Sequence, residues 1–134
     1  MHSLIHTYPV LIQETFLDTF GHMNNAMYLT LLEEARWDLL TAGGFTLDNI
    51  HSGGIGPVIL DIKIRFLKEI RVRDRIIITT QVVSYEKKIG LIAHKMMRGE
   101  ELCCTAEVMI GLWDLKERKL IPPTPEWMRA IGIQ

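Results

Sequence analysis

The stretch that decides the fold is residues 18–28, DTFGHMNNAMY, which runs directly into a helical pattern from Ala26 to about Thr41. Its first eight residues place one carboxylate, one imidazole and two amides just ahead of the only long helical pattern in the first hundred residues. A loop that merely connects two elements does not need so many reactive side chains. Most of the chain after this helix alternates with the period of a strand, so we expect a sheet to wrap around the helix.

The helix itself should be buried on most of its circumference. One broad apolar arc at helical spacing contains Met27, Tyr28, Leu31, Leu32, Ala35 and Leu39. Three further apolar residues, Leu29, Trp37 and Leu40, lie outside that arc. Asn24 or Asn25 is the expected N-cap, because an asparagine side chain can accept a hydrogen bond from a first-turn amide.

Glycines end the helix and dominate the segment that follows it. Gly43-Gly44 is the expected stop, since glycine just past a helix allows a left-handed closing residue. Phe45 to Gly56 is then a loop or a short irregular turn. Because this segment does not follow a strand and open a helix, it is a weak phosphate-loop candidate and is better interpreted as a flexible mouth near a pocket.

Strand patterns fill most of the remaining chain. They are expected over residues 6–13, 58–66, 75–85, 89–98 and 102–112. Pro9 suggests an edge position for the first of them. The second has the pattern of a half-buried strand, with one face made of Val58, Leu60, Ile62, Ile64 and Phe66. Short turns between consecutive strands indicate an antiparallel sheet, and Thr124 is the expected cap of a short terminal helix over 126–131.

Composition fits one domain spanning residues 1–134 of a 134-residue chain, with 48% apolar and 23% charged residues. A formal net charge of -1 provides no basic field that would favour nucleic acid or an anionic membrane as a partner. Residues 1–10 lack a signal-peptide pattern, and no apolar run reaches the roughly 20 residues of a membrane helix. Adjacent cysteines such as Cys103 and Cys104 rarely pair, so a reducing cytoplasm is the expected compartment.

The motif over residues 18–28, Asp-x-x-Gly-His-Met-Asn-Asn-Ala-x-Tyr, is followed by Glu-Glu-Ala-Arg at 33–36. Together they resemble the signature of the hotdog-fold acyl-CoA thioesterases of the 4-hydroxybenzoyl-CoA thioesterase type. The motif is also similar to the catalytic segment of plant acyl-carrier-protein thioesterases. This resemblance covers nearly the whole chain and implies an α+β hotdog fold, in which a curved five-stranded antiparallel sheet wraps one long central helix. It further implies a homodimer or homotetramer that joins two sheets edge to edge, with active sites at the subunit interface.

The resemblance also implies roles for individual residues. Asp18 matches the catalytic aspartate, and His22 matches the histidine of the plant-type motif. Asn25 matches a position whose backbone amide faces the thioester carbonyl in some members. Two positions depart from the pattern, because Phe16 stands where many relatives have an acid and Phe20 where the plant-type enzymes have asparagine.

Thioester hydrolysis requires a base or nucleophile and a donor for the developing oxyanion. Asp18 either activates water or attacks directly, forming a mixed anhydride that water opens. The N-terminus of the helix, at Asn25 or a neighbour, offers an unpaired amide and the positive end of the helix dipole. His22 is expected to orient water or the Asp18 carboxylate, and no metal or redox cofactor is required.

Other candidates are expected to touch the substrate. They are Gly21, Asn24, Tyr28 and Glu34 around the acyl group, and Lys63, Arg65, Lys87 and Lys88 as cations for the coenzyme A phosphates. Each residue also has an ordinary structural interpretation. These are a turn carboxylate for Asp18, a loop histidine for His22, helix caps for the two asparagines and a core position for Tyr28. For Glu34 it is a solvated or interface ion pair with Arg36, and for the four cations it is exposed strand and turn charges.

An acyl-CoA thioesterase acting on a fatty or aromatic acyl group is therefore the expected function. An acyl-carrier-protein thioesterase and a non-catalytic acyl-CoA-binding hotdog domain remain open as alternatives, and a hotdog hydratase is a weaker third. A thiol-release assay separates the enzyme from the binding domain. Comparing carrier-protein with coenzyme A substrates separates the two thioesterases.

Overall fold

One curved antiparallel sheet covers a single long helix in the computed structural model, which describes residues 2–134. In chain order the elements are β1 (His6–Leu11), α1 (Asn25–Ala42), α2 (Leu47–Gly53), β2 (Ile55–Phe66), β3 (Arg75–Glu86), β4 (Ile89–Arg98), β5 (Glu101–Asp114), β6 (Lys119–Ile121) and α3 (Pro125–Ala130). A short 3-10 turn at Glu14–Phe16 follows β1. The strand order is β1-β3-β4-β5-β2, and the sixth strand, β6, pairs with the end of β5.

The α+β architecture expected from the sequence is confirmed, with two differences in the element list. The sheet has six strands instead of five, because residues 119–121 fold back onto β5. The segment expected to be a loop over residues 45–56 contains helix α2. Its first turn is stabilised by a reciprocal cap, in which the Thr46 amide donates to Asn49 Oδ1 at 3.0 Å and the Asn49 amide donates to Thr46 Oγ1 at 3.3 Å.

Helix α1 is buried on one side only. Its buried side chains are Tyr28, Leu31, Leu32, Ala35, Arg36, Leu39 and Leu40. Leu29 is 41% exposed, and Glu33 and Glu34 are exposed as well. The expectation that α1 is buried on most of its circumference is therefore wrong for the single chain, because the helix packs mainly on β1, β3 and α3 and makes few contacts with β2.

Strand β2 is an edge strand, and its concave face is largely uncovered. Ile59 lies opposite Ile110 and Ile62 opposite Val108, so both side chains share the face of the sheet that holds the core. They are nevertheless each 39% exposed. The expected half-buried pattern is wrong here for two reasons. A register shift between Ile59 and Asp61 makes Leu60 a bulge, and no element covers this side of β2.

The core divides into two clusters along α1. The first surrounds the N-terminal half of the helix, and the second joins its C-terminal half to α3 through Trp127. A β-carbon on Gly43 would lie 2.5 Å from the Cα and carbonyl oxygen of Ala130, so this glycine permits close approach of the two helices. Gly44, with a φ of 87°, is the left-handed residue that closes α1, as expected.

The two cysteines are free thiols, and both are fully buried. Both belong to the first core cluster, and the register shift between Met96 and Met97 leaves Cys103 as an extra, bulged residue of β5. Burial raises the pKa of the Cys104 thiol to about 12, with the neighbouring Cys103 adding to the shift. None of the helices within residues 2–134 is both long enough and apolar enough to cross a membrane.

Candidate active site

The loop before α1 is held by the carboxylate of Asp18. Its Oδ1 accepts hydrogen bonds from the amide of Phe20 at 2.9 Å and from the amide of His22 at 3.2 Å. The Asp18 amide in turn donates to the His22 carbonyl at 2.8 Å, across a turn in which Gly21 has a φ of 81°. Asp18 is thus a turn residue, while its second oxygen, Oδ2, has no donor among residues 2–134.

The first turn of α1 has one amide without a partner. Asn24 is the N-cap, because its Oδ1 accepts from the amide of Ala26 at 2.8 Å and its carbonyl accepts from the amide of Met27 at 2.9 Å. The amide of Asn25 lies between these two and donates to no atom in the described part of the chain. This free N–H and the positive end of an 18-residue helix form a site suited to an oxyanion.

An open cavity of about 570 Å³ brings these groups together. Its lining consists of Asp18, His22, Met23, Asn24, Asn25, Tyr28, Phe66, Leu67, Lys68, Glu69 and Ile70. Six site residues were expected from residues 18–28, and five of them border this one cavity. Gly21 shapes the turn and does not line the cavity.

The opposite wall comes from the segment after β2, which the sequence alone did not identify. Glu69 Oε1 lies 2.6 Å from His22 Nε2, an ion-pair contact, and the amide of Met23 donates to the carbonyl of Ile70 at 3.3 Å. These contacts fasten the segment to the Asp18 loop. Lys68 and Glu69 are charged residues at the end of a strand, and only the length and register of β2 place them beside His22.

Tyr28 belongs to both the core and the cavity. It is 5% exposed, and its ring meets the ring of Phe66 edge to face with centroids 4.8 Å apart. Burial raises the pKa of its phenol to about 12, and the neighbouring thiols and Glu69 add to the shift. Tyr28 therefore keeps its proton at neutral pH and can act only as a hydroxyl at the cavity wall.

The remaining expected residues lie away from this cavity. Glu34 accepts a hydrogen bond from the Tyr8 hydroxyl at 3.3 Å on the side of α1 near β1. Lys63 and Arg65 border a depression on the sheet together with Lys95. Lys87 and Lys88 form the turn between β3 and β4.

A different group of cations adjoins the cavity. Lys68 and Glu69 also line a neighbouring depression of about 480 Å³, together with Arg71, Asp74 and Arg98. Carboxylates pair with these cations, since Arg98 donates to Asp74 at 2.8 Å and Lys68 to Glu101 at 3.3 Å. The first of these contacts raises the pKa of the Arg98 guanidinium. Burial acts to raise the pKa of Asp74, but hydrogen bonds from the Arg71 amide and then from Arg98 lower it. Arg71 also pairs with Glu69 at 3.2 Å, so the depression is polar and each of its three cations has a carboxylate partner.

The sequence profile of the thioesterase-like superfamily matches residues 10–131. The long-chain acyl-CoA thioesterase FadM of Escherichia coli is 32% identical over 108 residues, which cover 78% of this chain and 80% of FadM.

Two solved structures match over nearly the whole chain. A 1,4-dihydroxy-2-naphthoyl-CoA thioesterase from Synechocystis superposes with a TM-score of 0.85 at 22% identity, covering 95% of both chains. A Staphylococcus aureus protein solved in complex with CoA superposes with a TM-score of 0.89 at 18% identity, covering 98% of this chain and 84% of that one. At these identities the likeness concerns the fold alone, and it confirms the hotdog fold.

Proposed function

The chain belongs to the thioesterase-like superfamily and is a thioester hydrolase, and we propose that it hydrolyses acyl-CoA at the cavity beside Asp18. One observation carries this proposal. The Asp18 carboxylate, with a free Oδ2, and the unpartnered amide of Asn25 border the same open cavity. A base or nucleophile and an oxyanion donor are the two groups that thioester hydrolysis requires.

The amide of Asn25 binds the thioester oxygen. Negative charge develops on that oxygen when the carbonyl carbon is attacked, and the dipole of α1 favours it. Removing one such donor typically costs about 3 kcal/mol of transition-state stabilisation. Because the donor is a backbone group, its position depends on the Asn24 cap and on the bonds that hold residues 18–24.

Asp18 acts in the reaction as either a general base or a nucleophile. As a base it takes a proton from water, whose oxygen bonds to the carbonyl carbon; the carbon–sulfur bond then breaks and the coenzyme leaves as a thiol after protonation. As a nucleophile its Oδ2 bonds to the same carbon, the carbon–sulfur bond breaks and the coenzyme leaves as a thiolate that is protonated by solvent. Water then opens the resulting anhydride, which frees the acid and restores the Asp18 carboxylate. Both routes yield a free acid and coenzyme A.

His22 and Glu69 act as a pair at the cavity rim. The Glu69 carboxylate lies 2.6 Å from His22 Nε2 and holds the imidazole at the rim. The imidazole then orients water towards the carbonyl carbon. The position of Glu69 compensates for the departures at Phe16 and Phe20, since it brings a second acid to the site from another segment.

Coenzyme A lies across the polar side of the cavity. On the same chain, Lys68 is the cation there that can contact its phosphates. Lys63, Arg65, Lys87 and Lys88 do not line this cavity, so their predicted contact with the phosphates applies to a second protomer. A homodimer joined through the open edge of β2 supplies that protomer.

The test is thiol release from a panel of acyl-CoAs by the native protein, Asp18→Asn and a control, Asp48→Asn. Asparagine at position 18 retains a side-chain oxygen that can accept from the amides of Phe20 and His22, so the loop should persist. We expect the rate of Asp18→Asn to fall by a hundred-fold or more, while the control, which changes an exposed residue of α2, keeps its rate.

Equal turnover by the native protein and Asp18→Asn would contradict the role of Asp18. Binding of acyl-CoA without any thiol release would instead favour a non-catalytic binding domain. Faster release from acyl-carrier-protein thioesters than from the matched acyl-CoAs would move the substrate to the carrier protein.

A further inference from the structure

A second cavity lies at the other end of α1, where β2 begins. It has a volume of about 210 Å³ and is mainly apolar, with walls that include Trp37, Leu40, Ile59 and Trp127. The concave face of β2 runs from this cavity, at Ile59, to the site described above, at Phe66. Few contacts join α1 to β2, and Ile59 and Ile62 are each 39% exposed, so the apolar face of β2 between the two cavities is open to a ligand.

One charged side chain in this apolar cavity has no charged partner. Arg36 is 9% exposed, and its Nη1 donates to Nε2 of His94 at 3.1 Å. His94, 1% exposed, is held on its other nitrogen by Thr80 Oγ1 at 3.1 Å. None of the ion pairs formed within residues 2–134 includes Arg36.

The Arg36–His94 contact does not neutralise the guanidinium. Arginine can only donate, so His94 Nε2 must accept and the imidazole is neutral. Burial, followed by the nearby Arg36 charge, lowers the pKa of His94 to about 3, in agreement with this geometry. Burial lowers the pKa of the Arg36 guanidinium, and the charge of Glu33, which also borders the cavity, opposes this; yet Glu33 is exposed and forms no ion pair with Arg36. A buried cation left without an anion is energetically costly, and an incoming anion relieves that cost.

We propose that this cavity receives the far end of the acyl chain and that Arg36 binds a carboxylate there, so that the preferred substrates are coenzyme A thioesters of dicarboxylic acids. This inference rests on the proposed function, because it uses the thioester position beside Asp18 and Asn25. Asn25 and Arg36 are eleven residues apart, which is roughly 16 Å along a helix. The arginine side chain points back towards the N-terminus of α1, which shortens the span to that of a medium-length chain.

The expected substrate preference depends on whether the far end of the acyl chain pairs with the Arg36 guanidinium. An ω-carboxylate gains charge-assisted hydrogen bonds from Arg36, whereas a terminal methyl group leaves the guanidinium buried and unpaired. We expect kcat/KM for an ω-carboxyl thioester to exceed that of the unsubstituted thioester of equal length by about ten-fold or more.

The experiment compares three pairs of equal length: octanoyl-CoA with suberoyl-CoA, decanoyl-CoA with sebacoyl-CoA, and lauroyl-CoA with dodecanedioyl-CoA. The native protein, Arg36→Met and a control, Arg75→Met, are assayed by thiol release. Methionine keeps an unbranched stem and removes the charge, and Arg75 is an exposed arginine at the start of β3. Taking the kcat/KM ratio within each variant cancels differences in the amount of active protein.

A preference for the ω-carboxyl partner that falls at least ten-fold in Arg36→Met, and not in Arg75→Met, supports the assignment. The same ratio in the native protein and Arg36→Met would overturn it. If no coenzyme A thioester in the panel is hydrolysed, the proposed function fails, and binding then decides the role of Arg36 separately.

The binding experiment needs no change at position 36. Trp37 and Trp127 border the cavity, so their fluorescence reports its occupation. Asp18→Asn is titrated with suberoyl-CoA, with its ω-methyl ester and with octanoyl-CoA. Binding of suberoyl-CoA at least ten-fold tighter than the other two supports a carboxylate site, and equal binding of suberoyl-CoA and its neutral ester overturns it.

Discussion

Asp18 combines two tasks through its two oxygens. Oδ1 accepts from two amides and thereby fixes the turn that leads into α1, while Oδ2 faces no donor of residues 2–134. A carboxylate held in this way has a defined orientation before substrate arrives, which reduces the entropy lost on reaching the transition state. The turn interpretation and the catalytic interpretation of Asp18 are therefore compatible.

His94 shows how one buried residue ties stability to pH. Its folded pKa is about 3, whereas an unfolded histidine titrates near 6.5, so the unfolded chain binds more protons between these values. The stabilising contribution is complete above pH 6.5 and is lost progressively as the pH falls towards 3. Protonation would also place an imidazolium against the Arg36 guanidinium.

We therefore predict that His94→Gln flattens the acid side of the stability profile. In the native protein this group alone should cost about 1 kcal/mol of unfolding free energy for each pH unit below 6.5. Urea unfolding at pH 7.0, 6.0 and 5.0 measures the effect. His51→Gln, at an exposed position of α2, is the control and should keep the native slope; an unchanged slope in His94→Gln would contradict the prediction.

The residues of the candidate site that could be predicted are those that lie close together in the sequence. Asp18, His22, Asn24 and Asn25 lie within eight residues and border one cavity, as their spacing indicated. Glu69 could not be assigned in the same way. Its place beside His22 follows from where β2 ends, and that depends on a bulge at Leu60 that the alternating pattern does not reveal.

Helix α1 is positioned by what lies at its two ends. The Asn24 cap sets its first turn at the site, and Gly43 lets α3 approach its last turn. The helix and most strands could be predicted because periodicity reports directly on them. Helix α2 was missed, since its cap depends on the Thr46 and Asn49 side chains in a segment whose glycines dominate the pattern.

Gly43→Ala should destabilise the protein by about 1–3 kcal/mol, the usual cost of overpacking, because the added methyl group meets the backbone of Ala130. Thermal unfolding measures this. Gly53→Ala is the matched control: it has no atom within 4 Å of its added β-carbon and lies in α2, where alanine is the better helix former. Equal melting temperatures for the two variants would refute the close approach of α1 and α3.

The whole molecule leaves one long edge open. Strand β2 spans 12 residues, and four of its large apolar side chains are exposed: Ile59, Leu60, Ile62 and Phe66. A long apolar edge in a soluble protein invites pairing with a second copy. Apolar alternation in the sequence predicted that this face is covered, but the pattern does not distinguish cover by the same chain from cover by another.

We predict that Ile62→Lys shifts the protein from dimer to monomer, because it places a charge on the uncovered face of β2. Light scattering after size-exclusion chromatography gives the mass. Ile77→Lys is the control, since Ile77 on β3 is 40% exposed and Ile62 is 39% exposed. That control should stay at least dimeric. A native protein that is monomeric at micromolar concentration would contradict the proposed homodimer.

The buried cysteine pair has a practical consequence for every assay above. Both thiols are fully buried, and the Cys104 thiol, with its pKa near 12, stays protonated in the native protein. A disulfide reagent that turns yellow on reaction with thiolate should therefore register only the coenzyme set free by turnover. The same reagent would consume two equivalents per chain once the chain unfolds, so a single colour reaction follows catalysis below the melting point and loss of structure above it.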